Sequence, residues 1–390
     1  MDPYLNPFAP GAGSRPPELA GRDDVLKQAK VACRRAITGK HARSQMLLGL
    51  RGTGKTVLLN EIKKIGQEEN LLTSTIESPE NTSLPRLLVP EMRKVMRSLS
   101  VVETAKDLAN HGLKGLRGFA SIFKVGIAGL EVGVESEPGL ADSGNLEFDL
   151  PDLFEAIGQA AKAAGKGWLL LFDEVQYLSN DDLSALTVSM HRMSQFGLPV
   201  VFVGAGLPQV ARLAGDAKSY AERLFAFPAI GALDESSATR AIRIPIEDED
   251  AVITDEALKE IVTKTQGYPF FLQEWASKAW DHAEAPEINL AEVQETYGET
   301  IASLDEGFFK VRIDRLTKSE IQFVDTMAKL GDGPYAMVDI ASAMNRKISS
   351  IGPARANIIK KGMVYSTDYG FLDFTVPLFA DFLRRQSARV

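Results

Sequence analysis

The chain sets short apolar runs between longer amphipathic stretches. Ser44 to Leu48, Leu71 to Ile76, Gly167 to Phe172 and Pro199 to Val203 read as strands, and the 167–172 run is continuous enough to be buried on both faces. Between them apolar residues recur at helical spacing: Asp23 to Thr38, Thr56 to Ile65 (Val57, Leu58, Ile62, Ile65), Leu84 to about Leu116, and Leu150 to Ala164. Strands alternating with helices predict an α/β fold with a parallel sheet. From about Glu235 the pattern turns helical, with helices expected at 235–245, 254–265, 268–283 and 289–297. The last 90 residues carry helices at Thr317 to Leu330, Met337 to Met344 and about Ser350 to Lys361. Met363 to Phe374 then alternates around a turn at Asp368-Tyr-Gly370, a β-hairpin signal.

Two segments break this rhythm. Residues 1–20 hold Pro3, Pro7, Pro10, Pro16 and Pro17, so no regular helix forms there; the arm lies extended over a neighbour or is disordered. Residues 123–134 alternate apolar with small or charged residues, a hairpin signal weakened by glycines, and Glu135 to Glu147 reads as a loop.

The chemistry begins at Gly49-Leu-Arg-Gly-Thr-Gly-Lys-Thr56, a P-loop pattern with every required position filled, after a strand and before a helix. Gly49, Gly52 and Gly54 let the backbone turn its N–H groups toward phosphate oxygens. The helix that follows adds its positive end. Lys55 is expected to reach the outer phosphates and the Thr56 hydroxyl to ligate Mg²⁺, with Thr53 inside the same loop. Arg51 fills an unconstrained position and reads as a solvent or interface residue. The run 167–172 ends in Asp173-Glu174, at the strand end where parallel sheets place ligand chemistry. Asp173 is expected to hold Mg²⁺ through its water shell and Glu174 to polarise an attacking water as general base.

Composition narrows the partners. A chain of 390 residues carries two or three domains. Its single cysteine, Cys33, excludes an internal disulfide, and four scattered histidines make a histidine-rich metal centre a poor expectation. No apolar run approaches a membrane span and no secretory leader is visible, so a cytoplasmic protein without membrane contact is expected. Net charge is −8, unevenly spread: residues 231–300 hold 16 acids and 5 bases, residues 301–390 hold 13 bases and 10 acids. Separate modules with separate partners would produce that asymmetry.

Gly49–Thr56 together with Asp173-Glu174 resembles the additional-strand P-loop ATPases, and within them the AAA+ initiator-like (origin-recognition-like), archaeal-type and STAND ATPases. Pro17-Glu-Leu-Ala-Gly-Arg22 resembles the Gly-Arg element of that group, which implies that Gly21 and Arg22 border the adenine. Gly267-Tyr-Pro269 resembles the Gly-x-Pro element at the start of a lid helix, which implies that Tyr268 and Pro269 face the nucleotide. Tyr220-Ala-Glu-Arg-Leu-Phe225 resembles the segment that carries an arginine sensing a neighbouring subunit's γ-phosphate, which implies that role for Arg223. Read without the family, Arg223 is a surface or salt-bridged arginine beside Glu222. The resemblance covers about residues 17–390 and implies ATP/ADP, Mg²⁺ and a homo-oligomer in the ATP state. One departure stands out: Pro199 to Gly206 offers no polar sensor side chain, which implies slow hydrolysis and leans toward the STAND side.

The expected plan is an arm (1–20), a P-loop core (21–233, with an insertion at about 84–149 that covers the core or binds a partner), a helical lid (234–300) and a winged helix-turn-helix (301–390). The third helix of the last unit is the expected groove reader. From Met344 to Met363 there are five bases, Arg346, Lys347, Arg355, Lys360 and Lys361, and no acid, with Tyr365 and Tyr369 on the wing. Contact with double-stranded DNA, mainly through phosphates, is one reading; a protein-packing module is the other. The functional expectation is an ATP-hydrolysing switch coupling nucleotide to oligomerisation and DNA. The alternative is a STAND-type signalling or defence switch that does not bind DNA.

Overall fold

Five parallel strands form the sheet: β1 (Ser44–Leu48), β2 (Leu71–Glu77), β3 (Gly167–Asp173), β4 (Val200–Gly206) and β5 (Phe225–Ala226), in the order β2-β3-β4-β1-β5. A computed structural model describes residues 1–11, 13–41, 43–126 and 139–387. They fall into two compact units. One comprises Arg22–Gly49 and Lys55–Ile230, called here the sheet unit. The other comprises Met1–Gly21, Leu50–Gly54 and Gly231–Val390, the helical unit.

In the sheet unit, β3 and β4 are buried at every position, which is why their sequences are continuous apolar runs. β4 lies between β1 and β3 and pairs with both. It runs three residues beyond the apolar stretch that announces it, because Gly204-Ala-Gly206 stay in register with Met46-Leu-Leu48. Eight helices belong to this unit: α1 (Asp23–Ile37), α2 (Lys55–Glu68), α3 (Leu84–Ser100), α4 (Lys106–Ile122), α5 (Leu146–Ala163), α6 (Asn180–Gln195), α7 (Val210–Ala217) and α8 (Ala221–Leu224). Helix α5 starts four residues before the expected Leu150, because the Asn145 side chain caps it by accepting from the Glu147 amide. Helices α3 and α4 bring Leu88, Met92, Met96, Leu116 and Phe119 into one core with Trp168, Leu170 and Phe172 of β3. Helices α3 and α4, within the stretch read as an insertion, therefore cover the sheet. The hairpin expected over 123–134 lies, from residue 127 on, outside the described residues.

The helical unit holds α9 (Glu235–Asp248), β6 (Val252–Ile253), α10 (Asp255–Thr265), α11 (Pro269–His282), β7 (Glu287–Ile288), α12 (Leu290–Glu295) and α13 (Tyr297–Ser303). Helix α9 continues three residues past Pro245, where the sequence pattern ends it. A π-helical stretch, Leu304–Lys310, leads through α14 (Val311–Ile313) to the C-terminal elements. These are α15 (Lys318–Lys329), β8 (Tyr335–Ala336), α16 (Met337–Ala343), α17 (Ile348–Lys360), β9 (Val364–Asp368), β10 (Phe371–Phe374) and α18 (Phe379–Ser387). The three helices and hairpin of the sequence reading are present. So is β8, too short to show a period, which pairs with β10 to complete a three-stranded sheet.

The N-terminal arm packs on α11. Phe8 is buried, the Asn6 amide donates to the Ser277 carbonyl oxygen (3.1 Å) and to Asp281 (2.8 Å), and the Trp280 indole donates to the Asp2 carbonyl oxygen (3.0 Å). The prolines bar a regular α-helix, so apart from a single 3-10 turn at Pro3–Leu5 the described residues of the arm form no helix, and polar groups of its first residues find partners on the helix beneath. Among the described residues, no helix is long and apolar enough to cross a membrane.

Candidate nucleotide site

Strand β1 delivers the chain to Gly49, whose N–H donates to the Gly206 carbonyl oxygen at the end of β4 (3.0 Å). The loop then turns through Gly52 at φ +84° and Gly54 at φ +89° before α2 begins at Lys55. Glycine is required at 52 twice over: the backbone is left-handed, and a Cβ there would stand 3.1 Å from the Tyr268 ring and 3.3 Å from Phe270 Cβ. The Thr53 hydroxyl closes the turn onto the Leu50 carbonyl oxygen (2.9 Å).

In the sheet unit, the Thr56 hydroxyl donates to Asp173 Oδ2 at 2.6 Å. Asp173 is buried, and burial raises its pKa above the ordinary carboxylate value. The Thr56 and Glu174 hydrogen bonds pull the other way; the charge of Glu174 raises it further and that of Lys55 lowers it. Lys55 is buried too, within electrostatic reach of Asp173. Glu174 has left-handed backbone geometry (φ 55°, ψ 42°), unusual for a residue with a side chain, and so turns away from the strand line at the sheet's C-terminal edge.

One residue of this site escapes sequence reasoning. Gln176 donates through Nε2 to the Glu174 carboxylate and accepts through Oε1 from the Leu207 N–H (3.1 Å), just beyond β4. A Cβ on Gly206 would stand 2.7 Å from that oxygen. The end of β4 lacks a polar side chain because Gln176, arriving from β3, already fills the space. A glutamine two residues past an acid pair carries no motif signal; only the β3–β4 pairing brings it there.

The other expected residues are distributed as follows. Arg22 is buried in the sheet unit, and Gly21 packs against Ser237 in the helical unit. Tyr268 caps α11 and Pro269 is its first residue. Tyr268 is buried, its hydroxyl makes no hydrogen bond among the described residues, and burial raises its pKa. Arg51 is not a plain solvent residue. It is half-buried in the helical unit, with its guanidinium against the turn at Gly362, where a Cβ would meet it at 2.6 Å. Nearby Arg312 lies over the Phe308 ring at 3.7 Å, and burial, with the charge of Arg51, pushes its pKa down to about 10. Arg223 is exposed on α8 and pairs with no carboxylate among the described residues. Of the five C-terminal bases, Arg346, Lys347 and Lys360 are exposed. Arg355 donates to the Ser366 hydroxyl (2.8 Å), and Lys361 is tied to Glu320 (2.7 Å) and to the Arg315 carbonyl oxygen (2.8 Å).

A strand-loop-helix carrying a filled P-loop, with an acid pair two strands away at the same sheet edge, defines a P-loop NTPase core. Residues 18–203 match the AAA ATPase domain family, and residues 306–383 match a domain family of unknown function (DUF8462). No curated protein matches the chain significantly. Among solved structures, the Walker-type ATPase of Pyrococcus abyssi is similar at 15% identity, with 97% of this chain and 99% of that one covered and a TM-score of 0.57. The ORC2 protein of Aeropyrum pernix, solved as ADPNP–ADP complexes, is similar at 13% identity, with 97% and 98% covered and a TM-score of 0.52. Those likenesses bear on fold alone; the AAA domain match supports a nucleotide-binding ATPase.

Proposed function

We propose that the protein is a slow, Mg²⁺-dependent ATP switch. The observation that carries this reading is the Thr56–Asp173 hydrogen bond behind a filled P-loop. It brings two hard oxygen donors to one point, as Mg²⁺ requires. Among the described residues, no three His, Cys, Asp or Glu side chains gather to hold a metal, so the remaining ligands of Mg²⁺ come from phosphate and water. When bound, the ion neutralises phosphate charge. The loop amides between Gly49 and Gly54 cradle the phosphates, Lys55 neutralises the outer ones, and Glu174 accepts the proton of the attacking water. Gly21, Arg22, Tyr268 and Pro269 border the base and sugar. Arg223, exposed and without an acidic partner among the described residues, completes the site of a neighbouring subunit.

The loop segment Leu50–Gly54 packs with Tyr268, Phe270 and the turn at Gly362 inside the helical unit. Phosphate binding at the loop therefore bears on the lid (234–300) and on the C-terminal module (301–390), which we read as a winged helix. DNA contact in this reading falls to Arg346, Lys347 and Lys360. A second reading, a signalling or defence switch whose module packs on protein, is favoured by the inward commitment of Lys361 and Arg355, which shrinks the basic face. Light scattering on the protein alone, with ADP and with ATP, each with and without a DNA duplex, separates the readings. The first expects larger mass in ATP and duplex binding that salt weakens. ATP-driven assembly without duplex binding selects the second, and one mass in every nucleotide state contradicts both.

Gln176 enters as a positioning residue, because it ties the Glu174 carboxylate to the end of β4. Gln176→Ala should lower kcat about tenfold or more while leaving ATP affinity within twofold, since a misplaced catalytic group loses rate and not binding. Parallel loss of affinity and kcat would mean that Gln176 only supports the fold.

A further inference from the structure

At the other end of β1 from the P-loop, the sheet unit contains an open cleft of about 610 Å³. One wall is a stripe of α1: Asp24, Lys27, Gln28, Val31, Ala32 and Arg35. The other wall is His41, Arg43 and Gln45, alternate positions leading into and along β1, with Ala226 of the two-residue edge strand β5. Because β5 is so short, this corner of the sheet stays uncovered.

The lining chemistry is one-sided. Lys27, Arg35 and Arg43 are exposed cations, and no carboxylate among the described residues pairs with any of them; Asp24 is the cleft's one acid. Arg35 donates from Nε to the His41 carbonyl oxygen (2.7 Å) and Arg43 from Nη2 to the Glu222 carbonyl oxygen (2.6 Å). These bonds hold both guanidiniums in place and leave donors over. At the floor, Gln45 is 2% exposed and its Oε1 has no hydrogen-bond partner among the described residues. That oxygen is itself sealed from solvent, so Gln45 must rotate toward the cleft before a ligand N–H can recover the free energy of leaving it without a donor. The fitting ligand therefore brings carboxylates and N–H donors together. An acidic peptide does so, whereas a phosphodiester backbone brings charge without donors.

The chain carries such a peptide. Glu247, Asp248, Glu249 and Asp250 follow one another, all exposed, at the end of α9, and none pairs with a cation among the described residues. We propose that the cleft receives an acidic peptide turn, and that its occupant is the 247–250 turn of a second copy of the chain. The contact is head-to-tail, since cleft and turn are different surfaces, and such contacts build rings or filaments. This deepens the self-association proposed above and rests on it. Arg43 anchors the backbone of Glu222, so a seated turn also steadies α8, which carries Arg223.

Two measurements on the full chain test it. A labelled peptide of residues 244–253 should bind the protein and bind at least tenfold more weakly to Arg35→Glu/Arg43→Glu; a weakening in 0.5 M salt is also expected. In light scattering, that variant and the reversed turn (Glu247→Lys/Glu249→Lys) should each stay small in ATP, while their equimolar mixture recovers association. ATP affinity, measured on each variant, should not change. Assembly that survives both reversals overturns the cleft while leaving an ATP-driven oligomer intact. A protein that never assembles defeats the oligomer reading, and the peptide then decides alone, with no binding overturning the cleft. DNA binding lost on the cleft reversal, with the peptide inert, would reassign the cleft to nucleic acid and overturn the proposal.

Discussion

Lys55→Ala should weaken ATP binding by about 30- to 1000-fold, equivalent to roughly 2–4 kcal/mol, the cost of truncating one member of a desolvated charge pair. Two losses combine. The buried ammonium no longer meets the outer phosphates, and Asp173 loses the cation whose charge opposes its protonation, which weakens its hold on Mg²⁺. Titration calorimetry with ATP reads the affinity, and a thermal melt without nucleotide shows whether the fold survives. A folded variant that binds ATP within threefold of the parent would remove Lys55 from the phosphates.

Glu174→Gln should leave ATP affinity within about twofold and lower kcat by about 10² or more, the usual contribution of a general base. The substitution keeps size and shape. The Gln176 amide can donate to the new side-chain oxygen as it does to the carboxylate, so the local geometry persists. What disappears is the ability to accept a proton at neutral pH. Single-turnover phosphate release, measured beside binding of a fluorescent ATP analogue, separates the two effects. Unaltered turnover would move the base to another group. Because the variant holds ATP without consuming it, it is also the form in which to weigh the ATP-state assembly.

Much of the sheet unit was readable because its elements declare themselves locally. A strand buried on both faces must be apolar throughout, and β3 and β4 are. A phosphate loop must place glycine, lysine and threonine at set intervals, because backbone amides and a helix start have one geometry. Less was visible where an element is short or its meaning depends on a neighbour. Strand β8 has two residues and no period. Helix α9 runs through Pro245 although the pattern stops there. Lys361 counts as a surface base in sequence, yet buried Glu320, 41 residues earlier, claims it.

That β1 ends in a phosphate loop and β3 in an acid pair is legible in the residue order alone, since chemistry at adjacent positions is written in adjacent letters. What surrounds them comes from the packing of the folded chain. It set Gln176 between Glu174 and the end of β4, where the sequence offers no polar sensor side chain, and put Arg51, read as a solvent or interface residue, against Gly362. It left a cationic cleft with Gln45 at its floor, where β5 is too short to cover the sheet. Each of these depends on strand order and side-chain packing between segments distant in sequence, and no local pattern records a distance between them.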